Sequence, residues 1–369
     1  MDKYDILIIG AGCAGLSLAY KLIDSDLKIC VLEKFARTKR IRKTWSYWDT
    51  YKHNFIDLES NCYEELEIKK EESVLLNCSK NKYVSIDSQD FDDYIIPKLD
   101  EASKIDLIFD SDITDVYKSS DGYCVESNGK HFFAKKVFDS RQTDISASLY
   151  QVFHGYFIKP KNNIKLKPKL MDFTEQNEFH FFYVLPKDDQ SILVESTYFS
   201  KKVYPEEEMK QEIEDYIKKN LTRDYDVIRD EYGVIPMTTK EENSVDGIER
   251  IGISSGATRS STGYTFLNIQ KQTDYLAKHL KGIESENPMK SFRWKILRKM
   301  DHILLRIILS KPNISKSIIY DMFRKNNTDC LIRFLSDIPT IFDIIRIISN
   351  MPKLIFINHA IKSIFSKKV

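Results

Sequence analysis

A glycine-rich turn between an apolar strand and a helix is the feature that most limits how this chain folds. The stretch ILIIGAGCAGLSLA, residues 6–19, follows the apolar run Ile6–Ile9 with glycines and then a helix predicted from about Ala14 to Ile23. The next predicted strand, KICVLE, ends in an acidic residue 18 positions after Gly15. Glycines at this spacing allow a tight turn and bring a pyrophosphate close to the helix N-terminus, and the acid accepts a hydrogen bond from a ribose hydroxyl. The pattern predicts a βαβ unit that binds an adenine dinucleotide through Gly10, Gly12, Cys13, Ala14, Gly15 and Glu33.

The glycine motif alone does not distinguish FAD from NAD. It stands near the beginning of the sequence, where FAD-binding oxidoreductases usually carry it. No second glycine motif follows that would indicate a separate nicotinamide domain. We therefore favour FAD.

Cysteine usage and hydropathy limit the class of protein. Six cysteines are scattered among 369 residues with no Cys-x-x-Cys pair and no histidines at ligand spacing. This argues against a disulfide framework or a metal site and fits a reducing, cytoplasmic environment. The first residues, Met-Asp-Lys-Tyr-Asp, lead directly into a strand and do not resemble a signal peptide. No window holds 18 uninterrupted apolar residues, so no membrane-spanning helix is predicted.

Charge is distributed unevenly along the chain. Residues 271–369 contain 19 Lys and Arg and 8 Asp and Glu, a net charge of +11, whereas residues 1–270 carry a net charge of −10. From Ser291 onward the pattern is helical, with wide apolar stripes interrupted by basic residues. Such a segment is either a helical face in water or a surface that meets something anionic. A lipid surface is the sharper hypothesis, and nucleic acid is disfavoured because no recognition motif accompanies the charge.

Residues 123–141 predict a hairpin that returns to the dinucleotide-binding unit. A strand near Tyr123–Glu126 is followed by the turn Asn128-Gly129 and by a return strand through Phe132 that leads into VFDSR. In flavoproteins of this general fold, an apolar strand ending in Asp-x-Arg comes back near the cofactor. Asp139 and Arg141 are therefore either surface charges or, for Arg141, a cofactor contact.

Several later stretches, taken in order, resemble one family. They are Thr44-Trp45-x-x-Trp48 in RKTWSYW, Gln151-x-Phe153-x-Gly155, LMDFTEQ at 170–176, VEST around Glu195, EYGVIPMT at 231–238, and RIGISSGATRSSTGYTFLNIQ at 250–270. With the glycine motif, they make the chain resemble the FAD-dependent lycopene cyclases of carotenoid biosynthesis, with gaps, from Tyr4 to about Gln270. In the last stretch we expect an apolar strand, Ile251–Ile253, then a Ser/Gly/Thr loop, then a helix from near Thr265.

The resemblance implies a second cofactor-binding segment. Gly256, Thr262, Gly263 and Tyr264 would contact FAD, with Gly263 and the following helix N-terminus facing the flavin ring. Ser255 departs from the Gly-Gly that the family usually carries before this point, which bears on how closely the backbone approaches the cofactor there.

Glu195 is a lone carboxylate inside the predicted strand Ile192–Phe199. If its side chain faces solvent it is an ordinary surface acid. If it faces inward, burial raises its pKa and keeps a proton available near neutral pH. The residues alone favour the solvent-facing alternative, but the resemblance implies the opposite, because Glu195 falls on the glutamate of the family's essential acidic motif.

The activity that the resemblance implies is a redox-neutral cyclisation of the linear ends of lycopene to β-ionone-type rings, an isomerase reaction. A proton adds to the terminal double bond, the cation closes on a neighbouring alkene and a proton leaves. This needs a protonated acid, a water-free pocket, and π or negative charge near the cation. Reduced FAD is needed but not consumed, with NAD(P)H as its reductant. Aromatic side chains either line the pocket or are plain core: Trp45, Tyr47, Trp48, Phe153 and Tyr183.

Two other functions stay open at this stage. One is a related flavin-dependent oxidoreductase, such as a monooxygenase or a prenyl-chain reductase, and the other is a non-catalytic carotenoid-binding protein. The partners expected are a linear carotenoid and a lipid surface, with peripheral attachment to the membrane. The predicted fold is α/β, with an FAD-binding Rossmann-type domain, an inserted antiparallel-sheet substrate domain and a helical C-terminal region. The corresponding ranges are 1–80 for the βαβ portion, 81–245 for the substrate portion with a return near 132–145, 246–285 for the second cofactor segment, and 286–369 for the basic helices.

Overall fold

The computed structural model describes residues 3–142, 147–239 and 247–364. The boundary predicted at 245/246 and part of the return segment near 132–145 lie outside these ranges. The strands of the described residues, in chain order, are β1 (Lys3–Ile9), β2 (Ile29–Leu32), β3 (Thr44–Trp48), β4 (Ser60–Tyr63), β5 (Glu65–Lys69), β6 (Ser73–Asn77), β7 (Tyr83–Asp87), β8 (Ile105–Ile108), β9 (Ile113–Ser119), β10 (Gly122–Ser127), β11 (Lys130–Asp139), β12 (Tyr150–Pro160), β13 (Lys169–Phe173), β14 (Phe179–Pro186), β15 (Ile192–Ser200), β16 (Tyr225–Pro236) and β17 (Glu249–Arg250). The α-helices are α1 (Cys13–Lys21), α2 (Ser88–Asp100), α3 (Glu206–Asn220), α4 (Phe266–Leu280), α5 (Phe292–Ser310), α6 (Pro312–Lys325), α7 (Thr328–Leu335), α8 (Ile341–Asn350) and α9 (Lys353–Ile364).

The first sheet contains the predicted βαβ unit. Its order is β8-β2-β1-β11-β10-β9, with β17 also paired to β11. The strands β8, β2, β1 and β11 are mutually parallel, and the predicted hairpin adds β10 antiparallel to β11. Because Ile9 aligns with both Leu32 and Asp139, the carboxyl ends of three strands meet at one edge. The glycine turn, Glu33 and Arg141 therefore converge there, as the sequence predicts.

The second sheet is almost entirely antiparallel, in the order β16-β12-β15-β14-β13-β5-β6, with one parallel pair, β13 and β5. Side chains alternate between its faces. On one face Val194 packs with Ile213 and Ile217 of α3. On the other face Leu193 and Phe199 join a core that also contains residues of α5, α6 and α7. The α/β fold class, with an antiparallel second sheet and C-terminal helices, is confirmed.

Two sequence-based details differ from the structure. The strand predicted at Ile251–Ile253 is wrong, because β17 ends at Arg250 and a 3₁₀ turn occupies Gly252–Ser255. Gly252 has φ +72°, a left-handed conformation that ends the extended chain. The sheets also cross the predicted ranges. Strands β8–β11, from within 81–245, belong to the first sheet, and β5–β6, from within 1–80, belong to the second sheet.

Candidate active site

One continuous cavity of about 1290 Å³ connects the glycine turn with the second sheet and the C-terminal helices. It is larger than an ordinary small-ligand pocket. One end is lined by the turn after β1 and by Glu33, the middle by the loop 261–265, and the floor by β12, β14, β15 and β16. The far end is walled by apolar side chains of the C-terminal helices, among them Ile303, Leu304, Ile319, Met322, Phe323 and Leu335.

The N-terminus of α1 opens into this cavity. Its N-cap, Gly12, makes no side-chain cap hydrogen bond, and the first turn holds no acidic residue. Gly12, Cys13 and Ala14 line the cavity wall, and a Cβ placed on Gly12 would meet nothing within 4 Å. Free N–H groups and the positive end of the helix dipole face open space, which is an arrangement suited to a pyrophosphate.

Glu33, which was predicted to bind a ribose hydroxyl, accepts hydrogen bonds from the backbone of the glycine turn and of the segment after β2. Its Oε2 accepts a hydrogen bond of 2.6 Å from the N–H of Ala11, and its Oε1 accepts from the N–H of Phe35 at 3.1 Å. Gly15 lies behind the turn, away from the cavity, where an ideal Cβ would be 1.9 Å from the carbonyl oxygen of Gly10. Gly15 therefore permits close packing of α1 on the turn rather than a direct ligand contact.

Charged side chains complete this end of the cavity. Asp139 is buried and binds Arg141, whose Nη2 lies 2.8 Å from Oδ2, so Arg141 is held at the wall. Arg40 also lines the cavity, donates to the carbonyl oxygen of Ala11 at 2.7 Å and pairs with Asp92. The sequence analysis missed Arg40, although the basic stretch RTKRIRK directly before TWSYW was a signal for it.

The second predicted cofactor segment lies against the same cavity. Thr262, Gly263 and Tyr264 line it, whereas Gly256 does not; its φ of +77° ends the 3₁₀ turn. Gly252, which the sequence analysis did not select, lines the cavity instead.

Ser255, which departs from the family pattern, forms hydrogen bonds with neighbouring protein groups. Its hydroxyl donates to the carbonyl oxygen of Gly252 at 2.7 Å and accepts from Nε2 of Gln272 at 2.8 Å.

Gln151 supplies a buried polar atom that faces the cavity. Its Oε1 has no hydrogen-bond partner within the part of the chain that the structure describes. An ideal Cβ on Gly263 would lie 2.2 Å from that oxygen, so only glycine accommodates the amide there. The open cradle at Gly12 and the unsatisfied amide at Gln151 fit a large polar ligand such as a dinucleotide.

Glu195 faces the cavity from the middle of β15 and is not on a solvent-facing surface. Its Oε1 accepts a hydrogen bond of 2.6 Å from Oγ1 of Thr197, and among the described residues it forms no ion pair. Its pKa is raised to about 8, chiefly by burial; the Thr197 hydrogen bond opposes the shift and the nearby charge of Glu231 adds to it. Glu195 therefore carries a proton at neutral pH.

A second carboxylate lies in the same row of the sheet. Glu195 aligns with Gly155, which aligns in turn with Glu231 on β16. Residues aligned across neighbouring strands share a face, and both carboxyl groups line the cavity. Glu231 is buried and pairs with Arg229 at 3.1 Å. Glu231 was not selected from EYGVIPMT, because β16 also carries Asp226, Arg229 and Asp230 and the sequence does not single out one of these charges.

The aromatic residues divide between the cavity and the cores. Trp45, Phe153 and Tyr183 line the cavity, whereas Tyr47 and Trp48 are buried in two separate cores and are not among the residues described on its wall. Tyr47 and Trp48 are consecutive along β3 and point to opposite faces, which explains why they enter different cores.

Tyrosine hydroxyls meet beside the acid. Tyr183 is aligned with Glu195, and its hydroxyl donates to that of Tyr83 at 3.1 Å. Tyr83 was not selected from the sequence, yet it lines the cavity together with Tyr264. Burial raises the pKa of Tyr264 to about 12 and those of Tyr83 and Tyr183 well above their usual value, so all three stay neutral donors.

The C-terminal helices bound the mouth of the cavity. Ile348 of α8 and Ile357 of α9 line it and are 50% and 53% exposed, so the cavity reaches the surface between these helices. Within the described residues, no helix has both the length and the hydropathy needed to cross a membrane.

The fold and the site define a class. It is the fold class in which a parallel sheet with a glycine turn opens into a cavity floored by a second, antiparallel sheet, and solved flavoproteins share this fold. Similar solved structures include a geranylgeranyl bacteriochlorophyll reductase-like protein of Thermoplasma acidophilum, at 15% identity over 97% of this chain and 98% of that one with a TM-score of 0.66. A flavoprotein/dehydrogenase of Cytophaga hutchinsonii is similar at 14% identity over 98% and 100% of the two chains, with a TM-score of 0.65. The halogenase PltM, solved with phloroglucinol and FAD, is similar at 12% identity over 90% and 82%, with a TM-score of 0.61.

The chain belongs to the lycopene cyclase protein family, whose model matches residues 5–361. No curated protein matches the sequence.

Proposed function

We propose that this protein is an FAD-dependent lycopene cyclase that converts the linear ends of lycopene, or a similar linear carotenoid, into β-ionone-type rings without net electron transfer. One observation carries the proposal. Glu195, with a pKa of about 8 and no cation bound to it in the described residues, faces a cavity that also contains the dinucleotide-binding turn.

Glu195 supports the first chemical step. An alkene accepts a proton only from an acid that is protonated and shielded from water. At neutral pH a solvated glutamate is ionised, but the pKa of Glu195, raised by burial, keeps its proton in place. Its protonated carboxyl would deliver that proton to the terminal double bond, while Thr197 fixes the orientation of the group through the 2.6 Å hydrogen bond.

The aromatic wall supports the second step. Closure of the ring places positive charge inside a cavity from which water is excluded. Tyr183, in register with Glu195, and Phe153 on the next strand both line this cavity. A cation–π contact contributes about 2 kcal/mol when it is desolvated.

The residues around the glycine turn fit FAD. The N–H groups of α1 at Gly12–Ala14 would hold the pyrophosphate, Glu33 a ribose hydroxyl, and Gln151 and the loop around Gly263 the flavin end. Bound in its reduced form, with NAD(P)H as reductant, FAD would supply an electron-rich ring system beside the cation. Arg141 and Arg40 would balance the negative charge of the phosphates.

The C-terminal helices support contact with a lipid surface. Phe342 of α8 is 83% exposed and Leu354 of α9 is 79% exposed, next to the mouth of the cavity. From Ile344 to Val369 the sequence has five Lys and Arg and no Asp or Glu. Exposed apolar side chains among positive charges match the boundary of an anionic membrane. A hydrocarbon substrate would then enter from lipid without crossing water.

Pigment analysis in a lycopene-accumulating bacterial host tests the proposal. Cells with the wild-type chain should form cyclic carotenoids, and cells with Glu195→Gln should form essentially none. Glu178→Gln, at an exposed position between β13 and β14, is the matched control and should behave like wild type. Equal cyclic product from wild type and Glu195→Gln would remove Glu195 from the mechanism.

Reductant consumption by the purified protein separates the cyclase from an oxidoreductase. A cyclase consumes NAD(P)H only to reduce its flavin once, whereas a monooxygenase or a reductase consumes one equivalent per product. Stoichiometric consumption would overturn the proposed reaction class.

A further inference from the structure

We infer that Glu231 is the base that removes the proton after ring closure, so that it determines where the ring double bond forms. This inference rests on the proposed cyclase function and assigns its second proton transfer. Glu195 and Glu231 would act as an acid and a base on opposite sides of one reacting ring.

The sheet sets the spacing of the two carboxylates. Glu195 and Glu231 lie on strands that flank β12 and are aligned through Gly155, which has no side chain. At a strand spacing of about 4.8 Å, their Cα atoms are roughly 9.6 Å apart. Both carboxyl groups line the cavity, and Gly155 places no side chain between them.

The surroundings of Glu231 differ from those of Glu195 in charge. Nη1 of Arg229 contacts Glu231 at 3.1 Å, and Oγ1 of Thr44 donates to the same carboxylate oxygen at 3.3 Å. Nη2 of Arg229 also contacts Asp87 at 3.2 Å, and Asp87 in turn binds Arg42.

Arg229 is the cation in direct contact with Glu231. The wider network contains Arg42 and Lys187 as cations, and the carboxylates of Asp87, Asp90 and Asp189 as anions. Burial raises the pKa of Glu231, and Arg229 opposes that shift. The direct contact with Arg229 favours the ionised form of Glu231, whereas Glu195 makes no ion pair among the described residues and keeps its proton.

The two transfers balance. Glu195 gives its proton to the terminal alkene, a carbon–carbon bond closes the ring, and Glu231 takes a proton from a carbon next to the resulting cation. No electrons are gained or lost, and proton exchange with water after product release restores both carboxyl groups. Because more than one neighbouring carbon carries hydrogen, the position of the base selects the β- or ε-type alkene.

Ring composition measured in the lycopene-accumulating host tests the inference. Glu231→Gln should lower total cyclic product at least tenfold and change the ratio of β to ε rings in what remains. Glu231→Asp, which keeps the carboxylate on a shorter side chain, should retain more product and also change the ratio. Glu178→Gln is the control. A variant that only disturbs folding lowers the yield without changing the ratio.

Each alternative outcome is informative. Wild-type yield and ring ratio in Glu231→Gln would overturn the role of Glu231 and leave the cyclase proposal intact. A wild-type chain that forms no cyclic product would overturn the proposed function itself. Should Glu231→Gln fail to accumulate as a folded flavoprotein, the ring ratio of Glu231→Asp decides, and an unchanged ratio would reject the inference.

Discussion

Gly155 lies directly opposite Glu195 in the β12–β15 pair, and a methyl group on Gly155 would touch the Glu195 side chain at 3.5 Å. The same methyl would approach Cδ1 of Leu193 to 3.0 Å. A side chain at residue 155 would therefore crowd both Leu193 and the proposed acid.

We expect Gly155→Val to lower cyclic product at least tenfold and Gly155→Ala to lower it less. Valine is favoured in strands, so loss of β-propensity does not account for this order. The measurement is product per bound flavin, with the melting temperature as the control for folding. Wild-type turnover in Gly155→Val would show that the substrate does not occupy this space.

Activity should depend on pH through Glu195. Because its pKa is raised to about 8, the protonated form predominates below that pH, and the rate should fall as the pH rises through about 8. Thr197→Val removes a hydrogen bond that lowers this pKa, so the falling limb should move to higher pH. Glu231→Gln removes a negative charge that raises it, so the limb should move to lower pH.

Initial rates of the reduced holoenzyme across a pH series measure these shifts. Opposite displacements in the two variants would identify Glu195 as the titrating group. Identical limbs in wild type and both variants would assign the limb to another group.

Gly12→Ala and Gly15→Ala should separate cofactor binding from folding. A methyl on Gly15 would lie 1.9 Å from the carbonyl oxygen of Gly10, so this variant should lose stability by roughly 1–3 kcal/mol or more. A methyl on Gly12 meets no protein atom within 4 Å and should leave the melting temperature of the flavin-free protein almost unchanged. It projects toward the proposed pyrophosphate, however, so bound flavin absorbance should fall. Full flavin content in Gly12→Ala would place the pyrophosphate elsewhere.

Flotation with vesicles tests the lipid-facing surface of α8 and α9. We expect the protein to bind phosphatidylcholine vesicles that contain phosphatidylglycerol, and to bind less at high salt, because the charge contribution is screened. Phe342→Asp should abolish binding. Val203→Asp should not, because Val203, which is 52% exposed, lies outside α8 and α9. A wild-type dimer in solution that Phe342→Asp converts to monomer, without vesicle binding, would assign this surface to a second copy of the chain.

The sequence determined local elements because their signals are local. The spacing of Gly10, Gly12 and Gly15 together with Glu33 predicted the βαβ unit, and the turn at Asn128-Gly129 predicted the β10–β11 hairpin. The strand around Glu195 was also predictable from its apolar and aromatic neighbours. Each of these patterns depends on residues that are close in the chain.

Tertiary structure decided which of those residues meet. Side chains alternate between the two faces of β15, but the sequence does not say which face is inside. In the structure α3 packs on the face of Val194, and the opposite face, which carries Glu195, lines the cavity. Likewise, Trp45 lines the cavity while Tyr47 and Trp48 lie in the cores. Glu231 shares a row of the sheet with Glu195 only because both of their strands pair with β12. These outcomes depend on strand pairings between segments far apart in the sequence, and no local pattern encodes such pairings.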